Sequence, residues 1–136
     1  MKITICGSAS FVKHMAEAQA YLTNKGFEVF TPEPLMTEDL YKEKYGKEEL
    51  YKMKPLWTKK HWGKIENSDA ILILNKEKKG INGYFGSNTL MELSVAYYLG
   101  KKIFLLHAVQ ENHPHYEETI GLEAIVLGGD LDKIQK

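Results

Sequence analysis

Side chains able to do chemistry gather in a few short stretches of the chain. Gly7-Ser8-Ala9-Ser10 is a small-residue turn leading into a helical pattern. Backbone N–H groups, a helix dipole and two hydroxyls there would seat a phosphate. The turn lacks the full dinucleotide fingerprint and any phosphate-loop lysine motif, which counts against a nicotinamide dehydrogenase or a nucleoside triphosphatase. A plainer reading has Gly7 turning the chain and Ser10 capping the next helix. Further on, Gly83 and Gly86 let backbone approach a ligand closely, and Glu92 follows in the first turn of the next helix. A carboxylate in that place is held ionised by the positive end of the helix dipole, which suits a nucleophile and not a proton donor. Thr89-Leu90-Met91-Glu92 also matches a capping box, with the Glu side chain folded back on the Thr89 amide, and spacing by itself leans to the cap. His113-Pro114-His115, with no carboxylate or cysteine cluster nearby, reads as ordinary loop. Cys6 reads as a buried strand-end residue with no evident histidine partner.

The elements that must position these residues alternate. Residues 2–6 form a short, partly β-branched strand. Phe11, Met15, Ala18 and Leu22 then recur on one helical face, and Gly26 stops that helix. Residues 27–30 read as a second strand. The continuous apolar run at 69–75 suits a strand buried on both faces, residues 89–99 form a helix closed by Gly100, and 103–106 and 124–127 are two more strands. Asp130 is placed to cap a last short helix. Residues 33–64 hold Tyr41, Tyr45, Tyr51, Trp57 and Trp62 among lysines and glutamates, and Pro55 is expected to divide them into two helices. That region reads mainly as an amphipathic layer over the sheet, with some aromatics free to stack on a flat ligand. The alternation specifies an α/β fold: an open, mostly parallel five-stranded sheet with helices on both faces, of the Rossmann or flavodoxin-like kind. Ligands of such sheets bind beyond the carboxyl ends of the strands.

Composition narrows the function. Of 136 residues, 43% are apolar and 26% charged, and eighteen basic side chains balance eighteen acidic ones. A zero net charge argues against binding of nucleic acid polymers or anionic membranes. No apolar run approaches a bilayer span, and the first residues do not form a signal peptide. A lone cysteine rules out an internal disulfide framework and disfavours a cysteine-based zinc cluster, so the expected home is a reducing cytoplasm. With no repeat, low-complexity tract or linker, residues 1–136 read as a single domain.

Cys6-Gly7-Ser8, the run Lys64-Ile-Glu-Asn-Ser-Asp69-Ala-Ile-Leu-Ile-Leu, and Gly86-Ser-Asn-Thr-Leu-Met-Glu92-Leu-Ser-Val-Ala-Tyr-Tyr-Leu-Gly-Lys-Lys resemble the nucleoside 2-deoxyribosyltransferase superfamily. The arrangement around Cys6 looks most like its 2′-deoxynucleoside 5′-phosphate N-hydrolase branch. The resemblance covers most of the chain from residue 2 to about 107, together with a final strand and helix, and is weakest over 33–60. It implies a retaining mechanism, in which Glu92 attacks C1′ of the deoxyribose, displaces the base, and yields the sugar to water or a second base. The developing oxocarbenium charge is stabilised by the adjacent carboxylate. It also implies a homodimer or larger assembly, a nucleoside or nucleotide as small-molecule partner, and no metal or organic cofactor.

Two positions depart from the family pattern. Relatives commonly carry an aspartate, which helps protonate the leaving base, where this chain has His61; a histidine can serve as that general acid. Many transferases have an aspartate where Gly86 stands here, which weakens the transferase reading. The Gly86-Ser87-Asn88 turn can instead offer N–H groups and a hydroxyl to a 5′-phosphate. In the hydrolase branch serines near these places bind that phosphate, so the resemblance implies Ser8, Ser10 and Ser87 as substrate-binding residues, with Gly7 and Asn88 beside them, Glu92 as nucleophile and His61 as proton donor. The alternative is a non-catalytic nucleotide-binding or sensing module on the same scaffold.

Overall fold

The computed structural model describes residues 1–135. Five strands form one parallel sheet: β1 (Lys2–Cys6), β2 (Glu28–Phe30), β3 (Ala70–Ile73), β4 (Lys102–Leu105) and β5 (Ile125–Val126), in the order β2-β1-β3-β4-β5. The order reverses between β1 and β3, and the crevice beyond their carboxyl ends is where such sheets hold ligands.

Period-two alternation sends the two halves of each central strand into different cores. Ile3, Ile5, Ala70 and Leu72 join Met15, Ala18 and Leu22 of helix α1 (Val12–Asn24) on one face. Cys6, Ile71 and Ile73 join Ile65, Leu93 and Ala96 on the other. That second face is covered by α3 (Lys47–Glu66) and α4 (Ser87–Tyr98), so helices lie on both faces as expected. Phe11, Met15, Ala18 and Leu22 are all buried, as their spacing implies. A short helix α2 (Glu38–Tyr45) and a final turn α5 (Tyr116–Ile120) complete the helices. Asp130 caps the last 3-10 turn, its carboxylate accepting from the Asp132 amide.

Local chemistry corrects three sequence expectations. Ser8, not Ser10, is the cap after β1: its hydroxyl accepts from the Ser10 amide at 3.3 Å, opening a 3-10 turn (Ala9–Phe11) that leads into α1. Pro55 does not divide residues 33–64. It lies inside α3, which continues through the lost N–H, and the break falls at Gly46, where φ is +92°. α4 begins at Ser87 with Gly86 as cap, two residues earlier than the spacing suggests, which places Glu92 in the second turn.

Ion pairs tie the segment before α3 to its surface. Glu33 meets Lys60 at 2.7 Å and Lys64 at 3.1 Å, Lys64 also donates to the Thr31 carbonyl, and Lys54 meets Glu38 at 2.7 Å. Together they hold residues 31–38 as a wall over the β1–β3 crevice. Among the described residues, no helix is long and apolar enough to cross a membrane.

Candidate functional site

Three elements converge at the crevice. Cys6 ends β1 on the α3/α4 face. His61 precedes buried Ile65 by one helical turn on α3. Glu92 lies three residues after Thr89 and four before Ala96, both buried, so its α4 position is one that ordinarily carries a core residue. Its side chain is only 15% exposed. Glu92 Oε2 lies 3.5 Å from His61 Nε2, and the same nitrogen lies 3.5 Å from Cys6 Sγ. The capping box is therefore not formed: Glu92 turns to His61 and Cys6, and the α4 terminus has no side-chain cap.

Burial sets the protonation of this trio. Removal from water pushes the Glu92 carboxyl up to about 8, against a smaller opposing pull from its hydrogen bond with Cys6. Burial, aided by the Lys64 charge, pushes His61 down to about 4. His61 Nδ1 is buried without a well-formed hydrogen bond, so the nearby Ile5 backbone, which favours the protonated ring, is outweighed. Burial and then the Glu92 charge push the Cys6 thiol up. At neutral pH the resting site thus holds a carboxylic acid, a neutral imidazole and a thiol. This overturns the expectation of a carboxylate held ionised by the α4 dipole. Glu92 sits in the second turn, beyond the range in which a helix terminus acts strongly, and desolvation governs instead.

Glu92 stands where two concavities meet. One, of about 140 Å³, is walled by Tyr41, Trp57, Trp62, Met91 and His61. Tyr41 and Trp57 meet edge to face with centroids 4.8 Å apart. The other, of about 810 Å³, is polar and lies within the usual range of small-molecule sites. Gly7, Ser8, Ser10, Ser87 and Asn88 all line it, so the five expected substrate-binding residues share one groove that Glu92 also borders.

Two members escaped the sequence reading. Lys78 reaches into the polar groove, its Nζ 3.2 Å from Ser8 Oγ, and adds the positive charge that a neutral turn lacks. The signal was the Lys76–Lys79 charge run just past β3. Cys6 pairs with His61, a contact that alternation along β1 allows but that only α3 packing creates. Tyr84 also lines the groove, beneath the Lys78 ammonium at 5.5 Å. The loop histidines are structural: His113 is buried, and its Nε2 accepts from the Phe85 amide at 3.1 Å. Asn75 extends the β3–β4 ladder, donating to the His107 carbonyl at 2.7 Å and accepting from its amide at 3.0 Å.

Solved structures share this fold. A 2-deoxyribosyltransferase from Bacillus psychrosaccharolyticus superposes with a TM-score of 0.55 at 20% identity, over 89% of this chain and 91% of its own. A CMP N-glycosidase from Clostridium botulinum superposes with a TM-score of 0.51 at 18% identity, over 93% of this chain and 85% of its own. No family model matches the sequence, and no curated protein matches it.

Proposed function

We propose that this chain is an N-glycosidase that removes the base from a 2′-deoxynucleoside 5′-monophosphate through a glutamyl-sugar intermediate. The observation that carries the reading is a buried Glu92–His61 pair at the junction of an aromatic pocket and a polar groove. The base enters among Tyr41, Trp57 and Trp62, where stacking on flat rings is favourable. The 5′-phosphate meets Lys78, the Ser8, Ser10 and Ser87 hydroxyls, and the uncapped N-terminus of α4 at Ser87 and Asn88. C1′ then lies over Glu92. The two solved neighbours support the reading, since by name one transfers deoxyribosyl groups and the other cleaves a nucleotide N-glycosidic bond.

The resting protonation supplies a route. Neutral His61 keeps one ring N–H, and the pair shares one further, transferable proton, which rests on Glu92. Its transfer to His61 Nε2, across 3.5 Å, yields a carboxylate and an imidazolium together. Positive charge developing on the sugar favours that ionised arrangement. The Glu92 oxygen bonds to C1′ as the C1′–N bond breaks, the electron pair leaves with the base, and His61 delivers the proton to it. Neutral His61 then accepts a proton from water, whose oxygen attacks C1′ and frees the Glu92 carboxylate, and the proton returns to the pair. The reading further takes the protein to be a cytoplasmic, single-domain homodimer.

Chromatography of deoxynucleoside monophosphates after incubation tests it. Free base appears with wild type and is absent with Glu92→Ala, while mass spectrometry of a slow-substrate mixture finds a sugar phosphate on Glu92. The protonated resting state of Glu92 favours a second reading, a nucleotide-binding module. In that case the monophosphate binds and neither form turns it over.

A further inference from the structure

We infer that Cys6, His61 and Glu92 form a zinc-binding site of three protein ligands with a fourth position open to the cleft. The donor atoms come from three elements, β1, α3 and α4, and lie within 4.8 Å of one another. A tetrahedral zinc ion about 2.3 Å from sulfur and about 2.0 Å from nitrogen sets those two atoms about 3.5 Å apart, and its nitrogen and carboxylate ligands about 3.4 Å apart. The observed separations are 3.5 Å from Cys6 Sγ to His61 Nε2 and 3.5 Å from His61 Nε2 to Glu92 Oε2. Two of the three edges of the ligand triangle are thus already at coordination length, and the third, from Cys6 Sγ to the Glu92 carboxylate, is no longer than 4.8 Å.

Charge and access agree with the geometry. Metal binding displaces the thiol and carboxyl protons to solvent, and the thiolate and carboxylate then neutralise a divalent ion in a dry site, with a neutral imidazole as third ligand. Thiolate and imidazole donors select zinc over magnesium or calcium. His61 and Glu92 line the aromatic pocket, which gives the ion an entrance and a water its place. His61 Nδ1 makes no well-formed hydrogen bond, and the nearby Ile5 backbone is the group placed to orient the ring from the outer side. A bound ion occupies Glu92 and His61, so under the proposed function it is a reversible inhibitor; the site itself does not depend on that function.

Cobalt(II) titration of chelator-stripped protein reads the site directly. One equivalent gives thiolate-to-cobalt charge-transfer absorption and the intense visible bands of a four-coordinate ion, both abolished by added zinc. Cys6→Ser loses the charge-transfer band, His61→Asn weakens binding at least tenfold, and His115→Ala changes nothing. Circular dichroism verifies that each variant is folded. Should Cys6→Ser not fold, Glu92→Gln serves: it keeps the charge-transfer band and binds more weakly. A pale six-coordinate spectrum, or a wild-type spectrum in Cys6→Ser or in a folded His61→Asn, overturns the site. Cobalt binding without base release by the metal-free protein retains the site and defeats the glycosidase reading. Base release that ignores excess zinc, with no cobalt spectrum, does the reverse.

Discussion

Replacing Glu92 by Gln should make the protein more stable, and increasingly so as pH rises. In the folded chain the carboxyl titrates at about 8, against 4.5 when solvated. A carboxyl whose folded value is raised binds more protons folded than unfolded between those limits, so its contribution to stability declines as pH climbs from 4.5 to 8. Each pH unit in that window is worth about 1.4 kcal/mol, or about 5 kcal/mol over the whole interval. Between pH 5.5 and 9 about 2.5 units of it fall, so wild type loses about 3 kcal/mol that the neutral amide keeps. Gln holds the shape of the acid and cannot ionise. Urea unfolding of both proteins at the two pH values, with chelator present, gives the difference of differences and cancels every other titrating group. At about 4 °C per kcal/mol for a chain of this size, thermal melts should show the gap widening by about 12 °C. A gap unchanged between pH 5.5 and 9 would refute the claim that Glu92 is protonated by burial, and with it the one-proton pair on which the proposed mechanism runs.

Other outcomes follow from the same geometry. If Glu92 and His61 must share one proton, kcat/KM rises through about 4 and falls above about 8; a rate that keeps climbing past 8 in a pH–rate profile would remove His61 as acid. Lys78→Met should lower kcat/KM for the monophosphate about 10- to 100-fold and leave the unphosphorylated nucleoside unaffected, because a charged hydrogen bond is worth about 1.5–3 kcal/mol. Equal losses on the two substrates would place Lys78 away from the phosphate. Gly83→Ala should cost about 2–3 kcal/mol by urea unfolding, since φ is +74° and a Cβ would sit 2.6 Å from the Ala108 carbonyl oxygen. A loss under about 0.5 kcal/mol would show that the loop yields.

Much of this molecule is legible one segment at a time. The spacing of Phe11, Met15, Ala18 and Leu22 yields a buried helix face, and the apolar run at 69–75 yields a central strand, because periodicity and burial are local properties of the chain. The same holds for placing Gly7, Ser8, Ser10, Ser87 and Asn88 near one another: each follows a strand end or opens a helix, and parallel sheets gather those places on one side. Cap assignments shifted by a residue or two, at Ser8 and at Gly86, since several hydroxyls and glycines compete locally and packing chooses among them.

Whether Glu92 is an acid or a carboxylate is another kind of property. A place near the start of its helix argues for ionisation, and the spacing from Thr89 and Ala96 marks an inward-facing position without saying how dry it is. Only the tertiary packing of α3 and β1 closes water away from Glu92 and sets His61 and Cys6 beside it, from 31 and 86 residues distant along the chain. A pattern of residue types records which faces turn inward, but ionisation energies depend on the three-dimensional dielectric surroundings, and those exist only once the chain has folded.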